Sequence, residues 1–127
     1  MIRLEHANIT VNDPEATAAW LCDVFGWKVR WQGAGMQTGR TVHVGGDDSY
    51  VALFTYGGQN APRAARYRTQ GSLNHLAVFT DEDIGAVEAR VEQAGFEPIN
   101  HGEYAPGRRF YFLDHDGIEW EVASHQG

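Results

Sequence analysis

Two histidines and a glutamate are the residues in this sequence best suited to chemistry. His6 lies in Leu4-Glu5-His6-Ala7-Asn8-Ile9-Thr10 and His75 in Leu73-Asn74-His75-Leu76-Ala77-Val78-Phe79, in the same register. They are 75 − 6 = 69 residues apart, and that offset also carries Gly26 onto Gly95, Trp27 onto Phe96, Arg40 onto Arg109, Asp47 onto Asp116 and Ala52 onto Glu121. The chain reads as one supersecondary unit written twice. Two imidazoles and a carboxylate aimed at one space supply three facial ligands to a divalent metal, with positions left open for water or substrate. The plainer use of a single strand histidine is a hydrogen-bonded core or edge residue. The repeat-equivalent pair is what favours a metal.

The elements must do the aiming. Leu4 to Val11 alternates as a strand, and Asn12-Asp13-Pro14-Glu15 reads as a helix start with Asp13 as N-cap and Pro14 in the first turn. Gly26 ends that helix. Trp27 to Trp31 is the next strand, Gly33-Ala34-Gly35 starts a loop, and Arg40 to Val44 is a short strand. Gly45 to Asp48 turns into a strand over Ser49 to Tyr56. In the second copy Leu73 to Phe79 is a strand, and Thr80 or Asp81 caps a helix with an apolar stripe at Ile84, Val87, Val91 and Ala94. Gly95 ends it, and a strand starts over Phe96 to Ile99. Tyr104 to Gly107 is a loop, Phe110 to Leu113 a strand, Asp114 to Gly117 a turn and Ile118 to Ala123 the closing strand, with a fraying tail over Ser124 to Gly127.

This makes an α+β fold of two tandem βαβββ modules whose curved, barrel-like mixed sheet encloses a cleft, with helices outside. Residues 1–127 form a single domain: module one spans 1–58, the connection 57–71 and module two 72–127. Parity sends Ile9 and Val11 under the helix, so His6, Asn8 and Thr10 face the cleft. The same parity places His75, Ala77, Phe79, Glu119 and Glu121 there. Glu119 is placed to act as a general base, with a solvated rim carboxylate as the bland alternative. Tyr50, Phe54, Phe79 and Tyr111 can wall the pocket or simply fill the core. Arg108 and Arg109 sit at the expected cleft mouth, where they would attract an anionic substrate.

Charge narrows the partners. The net charge is −7 with Lys28 as the only lysine, which disfavours a nucleic-acid backbone. Arg63, Arg66 and Arg68 read as a solvated linker face. No run is long enough to span a membrane and the N-terminus lacks a signal-peptide layout. Cys22 is the only cysteine, so no intrachain disulfide forms and a reducing cytoplasm is expected.

Several stretches together resemble the vicinal oxygen chelate superfamily, which includes glyoxalase I, fosfomycin-resistance enzymes, extradiol dioxygenases, methylmalonyl-CoA epimerase and bleomycin-binding proteins. They are Leu4-x-His6-x-x-Ile9-x-Val11-x-Asp13, Phe25-Gly26-Trp27, Leu73-x-His75-x-x-Val78 and the run Phe110 to Glu121. That last run is similar to the family's F-x-D-P-D-G-N-x-x-E ending, with His115 for Pro and Ile118 for Asn. The resemblance implies metal ligands at His6, His75 and Glu121, holding Fe, Mn, Ni or Zn. Glyoxalase I has a fourth ligand where this chain has Ala52, so three ligands are expected. Tyr111 matches a substrate-contacting tyrosine of the fosfomycin-resistance enzymes, while His101 and Ala105 stand where their phosphonate-binding residues would be, which argues against fosfomycin. The dioxygenase likeness makes His43, Tyr50 and Tyr111 acid–base candidates.

The reading implied is a metal-dependent lyase, isomerase, transferase or ring-cleaving dioxygenase that chelates a small oxygenated substrate. Its catalytic candidates are Glu119 and Tyr111, and its substrate-binding candidates are Asn8, Tyr50, Phe54, Phe79 and Arg109. The rival is a metal-free binding protein that sequesters a drug or metabolite. The family likeness also favours a homodimer, in which His6 of one chain would meet His75 and Glu121 of the other, with closure of the site within one chain as the alternative.

Overall fold

Alternating apolar strands and two helices with one buried stripe each give the element order β1(His6–Thr10), α1(Pro14–Phe25), β2(Lys28–Ala34), β3(Arg40–Gly45), β4(Tyr50–Thr55), β5(Leu76–Phe79), α2(Ile84–Gln93), β6(Ile99–Tyr104), β7(Gly107–Leu113), β8(Glu119–Ala123). This computed structural model describes residues 1–57, 59–104 and 107–125. Parts of the expected connection (58), loop (105–106) and tail (126–127) lie outside the described residues. The chain forms two compact units, Met1–Pro62 and Arg63–Gly127, and each carries one βαβββ module. Each module is a four-stranded mixed sheet of the same topology, β1-β4-β3-β2 in one and β5-β8-β7-β6 in the other. The fold class expected from the repeat is therefore present: α+β, in tandem copies.

In unit 1 the Asp13 side chain accepts from Ala16 N at 3.1 Å, and Pro14 occupies the first turn, where its missing N–H costs nothing. Gly26 closes α1 in the left-handed region at φ 71, with its N–H on Cys22 O. The helix buries Thr17, Ala18, Trp20, Leu21 and Val24. Parity in β1 is as expected: Ala7 and Ile9 are shielded while His6, Asn8 and Thr10 are exposed. β2 is an edge strand with all seven residues exposed, and it runs on through Gly33 and Ala34, where a loop was expected.

In unit 2 the buried core comprises Phe110, Phe112, Ile118, Trp120 and Val122 together with Ile84, Val87 and Val91 of α2. Each fully buried aromatic of this kind contributes about 2–3 kcal/mol of apolar transfer. The strand bounds move, with β6 starting at Ile99 and not Phe96 and β7 at Gly107 and not Phe110, and four further details differ from the sequence reading. β5 starts at Leu76, so His75 immediately precedes the strand. The cap of α2 is Asp83, because Thr80 Oγ1 takes the Glu82 N–H in a local turn before the helix begins. The connection is structured at its end, where Thr69 N bonds Ala65 O, Ser72 N bonds Thr69 O and Tyr67 N bonds Asn74 Oδ1 at 2.7 Å.

The fourth difference is one of register. Asn8 pairs with Ala52 as Ala77 pairs with Glu121, so an offset of 69 holds for those strands. Across the next ladder Ala52 faces His43 and Glu121 faces Tyr111, which is an offset of 68. The β7–β8 turn has one residue more than the β3–β4 turn, so the counterpart of Arg109 is Thr41 and the Arg40 match is a coincidence of sequence.

That longer turn is held by Asp114, which is buried. Its carboxylate accepts from Asp116 N and Ile118 N at 2.9 Å and from Trp120 Nε1 at 3.0 Å. Burial pushes its pKa up against those hydrogen bonds. The Asp114-to-Gly117 part of the sequence motif is thereby explained by folding.

Candidate metal centre

The last strand brings Glu121 to His75. Trp120 and Val122 point into the core, so period-two alternation turns Glu119 and Glu121 to the opposite face. Glu121 is only 4% exposed, and a carboxylate that deep needs compensation. It has two partners. His75 Nε2 lies 3.1 Å from Oε1, and an Arg109 guanidinium nitrogen, Nη1, donates to Oε2. Tyr111, directly opposite Glu121 in the ladder, sets its ring edge-on to His75 with centroids 5.7 Å apart.

Behind His75 runs a second set of contacts. The Tyr67 hydroxyl is 3.0 Å from His75 Nδ1 and donates to Glu119 Oε1 at 3.1 Å. Arg66 Nη1 donates to the same Glu119 oxygen at 3.2 Å. Burial of the hydroxyl, and after it the Glu119 carboxylate, push the Tyr67 phenol up, so it keeps its proton near neutrality. Arg66 is therefore half-buried and ion-paired, where the charge pattern suggested a solvated linker face. Sequence reasoning passed over Tyr67 entirely, and no periodicity in the connection marked it.

His6, in unit 1, presents a different setting. Its Nδ1 is 2.9 Å from Glu5 Oε1, and its ring stacks on Tyr50 at 4.8 Å and 12°. Tyr50 stacks in turn on His43 at 4.8 Å, and Arg30 lies 4.6 Å over the Tyr50 ring. His43 is held below the usual imidazole range by burial first, then by the charges of His6 and Arg30. Asn8 is exposed beside Ala52. Phe54 is buried, packed where Gly35 and Gly39 leave no room for a Cβ. Phe79 is 57% exposed and its ring lies 4.4 Å from His125.

Two of the three expected donors thus meet within unit 2, while His6 belongs to unit 1. Among the described residues no group of three His, Cys, Asp or Glu side chains is assembled. The pair itself fits a metal. Ligand atoms about 2.0–2.2 Å from one ion, at angles of about 90–110°, stand about 2.8–3.6 Å apart, a range that includes the 3.1 Å between His75 and Glu121, which is equally a direct ion-pair distance.

Comparison with known proteins agrees with this arrangement at the level of fold. The model of the Glyoxalase/Bleomycin resistance protein/Dioxygenase superfamily matches residues 3–122. A glyoxylase/bleomycin resistance protein/dioxygenase domain from Frankia sp. EAN1pec superposes with a TM-score of 0.80 at 24% identity, covering 98% of this chain and 92% of that one. The fosfomycin resistance protein FosX from Mesorhizobium loti gives 0.73 at 26% identity, covering 96% and 91%. A glyoxalase family protein from Enterococcus faecalis gives 0.72 at 20% identity, covering 96% and 95%. No curated protein matches the sequence.

Proposed function

The chain belongs to the Glyoxalase/Bleomycin resistance protein/Dioxygenase superfamily, and from that premise we propose that it is a divalent-metal-dependent enzyme acting on a small oxygenated substrate. His75 and Glu121 are two of its ligands and His6 is the third, from the same chain or from the partner in a homodimer. The observation that carries this reading is the 3.1 Å approach of His75 Nε2 to Glu121 Oε1 in a nearly buried setting. When bound, the metal would polarise two neighbouring oxygens of a chelated substrate and stabilise negative charge on them. Arg109 fixes Glu121 through Oε2 and leaves Oε1 for ligation. Tyr111, edge-on to His75, is placed to contact a substrate there and to donate its phenolic proton. Glu119 engages Tyr67 and Arg66, so its service as a base would require it to exchange one of those contacts. The reaction class is a lyase, isomerase, transferase or ring-cleaving dioxygenase. The 26%-identical relative is a fosfomycin resistance protein, but His101 in place of a phosphonate-binding residue argues for another substrate here.

A second reading draws support from Arg109. A guanidinium already neutralises Glu121, as it would in a metal-free protein that sequesters a drug or metabolite. Metal content and titration of the purified protein with Mn(II), Fe(II), Ni(II) and Zn(II) separate the two. The enzyme reading expects one ion per chain, lost in His75→Ala and Glu121→Gln. Wild-type protein that takes up none of these ions would leave the binding-protein reading standing.

A further inference from the structure

We infer that the sheet face of unit 1 that carries His6 binds a planar aromatic carboxylate, with its ring stacked on Trp31 and its carboxylate on Arg30. The inference names a ligand class for the site proposed above, and it rests on that reading for the role of His6. Strict alternation over Trp27 to Trp31 would send Arg30 and Trp31 to opposite faces. The ladder breaks that alternation with a register shift between Val29 and Trp31, and both side chains reach one group of rings. Trp31 pairs with His43 and lies 5.2 Å from its ring, while the Arg30 guanidinium carbon stands 4.6 Å over the Tyr50 ring. A bulge of this kind re-aims a side chain, and such bulges concentrate beside functional sites. His43 stacks on Tyr50 and Tyr50 on His6, so a row of four rings runs from the edge strand β2 to the expected third ligand.

Trp31 is 52% exposed, whereas Trp20 and Trp120 are buried and Trp27 is half-buried. Its indole is seated all the same. A Cβ at Gly33 would stand 2.9 Å from Trp31 Cη2, so glycine at 33 lets the ring lie over the strand, against His43 on its other side. A seated, half-exposed indole offers a flat apolar surface at little entropic cost, and a flat conjugated ring fits it by offset stacking. Arg30 supplies the charge. Arg40, Arg66, Arg90, Arg108 and Arg109 each pair with a glutamate, while Arg30 makes no ion pair among the described residues. Glu5, the acid next to His6, is engaged with that ring. In a chain of net charge −7, a guanidinium left over an aromatic row suits an anion, and a planar carboxylate matches its fork.

The experiment uses the full chain, freed of metal with a chelator, and 2-naphthoate as the probe, followed by calorimetry and by tryptophan emission. Wild type should bind 2-naphthoate about threefold or more tightly than its saturated two-ring counterpart, which has the charge and size without the flat ring. Trp31→Leu changes an exposed residue of an edge strand, and should lose about three- to tenfold in affinity together with the change in emission. Arg30→Gln should lose about fivefold for 2-naphthoate and little for neutral 2-naphthol. Gly33→Ala keeps the indole but pushes it from its seat, and should weaken both probes. Equal binding of 2-naphthoate by wild type and Trp31→Leu, or none by wild type, would overturn the inference, and normal Zn(II) uptake by the same protein would leave the metal site standing. Wild type that binds 2-naphthoate with these losses and takes up no Zn(II) would support the ligand site and sink the metal reading.

Discussion

The two modules use the same backbone positions for opposite purposes. In module one, Ala52 sits between Asn8 and His43, and an aromatic stack of His6, Tyr50 and His43 lies on that face. In module two, Glu121 sits between Ala77 and Tyr111, and polar pairs replace the stack: Arg109 and His75 on Glu121, Arg66 and Tyr67 on Glu119. Tyr50 and Glu119 are counterparts at the offset of 69, so one module stacks a ring where the other places a carboxylate. A duplicated sheet thus supports a buried carboxylate in only one copy, and the decisive companion is a cation one register step away. Module two has Arg109 there and module one has Thr41. What makes a carboxylate position usable is its ladder neighbour as much as the residue itself.

The sharpest way to break the contrast is to remove Glu121. Glu121→Ala takes from Arg109 and His75 the buried carboxylate they share, and deleting one partner of a buried pair costs about 3–5 kcal/mol. Urea unfolding should show that loss together with loss of metal uptake. A loss under about 1 kcal/mol would mean that Glu121 is not held by charge.

The reverse experiment builds module two's chemistry into module one. Ala52→Glu places a carboxylate at a site 2% exposed, opposite half-buried His43 and without a cation at position 41. It should destabilise by about 3 kcal/mol. Adding Thr41→Arg supplies the missing cation, and it replaces a buried Thr41 hydroxyl that has no hydrogen-bond partner among the described residues. The double variant should recover about half of the loss in a double-mutant cycle. If Thr41→Arg makes Ala52→Glu worse, the two ladders differ in more than charge.

The turns differ in the same way. Module one closes its β3–β4 turn with Gly46 N on Ser49 O and an exposed Lys28–Asp47 pair, module two with buried Asp114. Asp114→Ala orphans three donors, including Trp120 Nε1, and should cost about 2 kcal/mol, against about 0.5 or less for Asp47→Ala. The pH dependence has a definite sign. Because burial raises the folded-state pKa of Asp114, its stabilisation is complete below the ordinary carboxylate value and is lost as pH rises through the raised one. The wild-type margin over Asp114→Ala should therefore narrow with rising pH across that window. Glu15 runs the other way: the Arg40 hydrogen bonds hold its pKa down, so its contribution is present at neutral pH and lost on acidification.

Much of this was legible because it is periodic or positional. Alternation fixed the faces of β1 and β8, and the Asp13-Pro14 and Gly26 signals fixed the ends of α1. The repeat offset pairs His75 with His6, and strand parity puts Glu121 on the face away from Trp120 and Val122. What escaped depended on one residue of length or on a side chain reaching back from a loop. The longer β7–β8 turn shifts the ladder by one, which moved Arg109's counterpart from Arg40 to Thr41. Tyr67 lies in a stretch without periodicity, and its backbone is left-handed at φ 66.

The helix ends provide the smallest test, and it asks how far equivalence goes. Gly26 and Gly95 are counterparts at positive φ, 71 and 95, and a Cβ at either would meet no atom within 4 Å. Alanine at each position therefore loses only backbone freedom in the left-handed region, about 1 kcal/mol. The endings are not identical, since Gly26 itself caps α1 through Cys22 O, whereas Gly95 follows an αR cap at Ala94 and bonds Glu92 O. If the conformational cost dominates, Gly26→Ala and Gly95→Ala lower stability equally, within about 0.3 kcal/mol in urea. A clear excess at either glycine would show that the left-handed conformation is held more tightly there, and that equal positions in the repeat hide unequal helix ends.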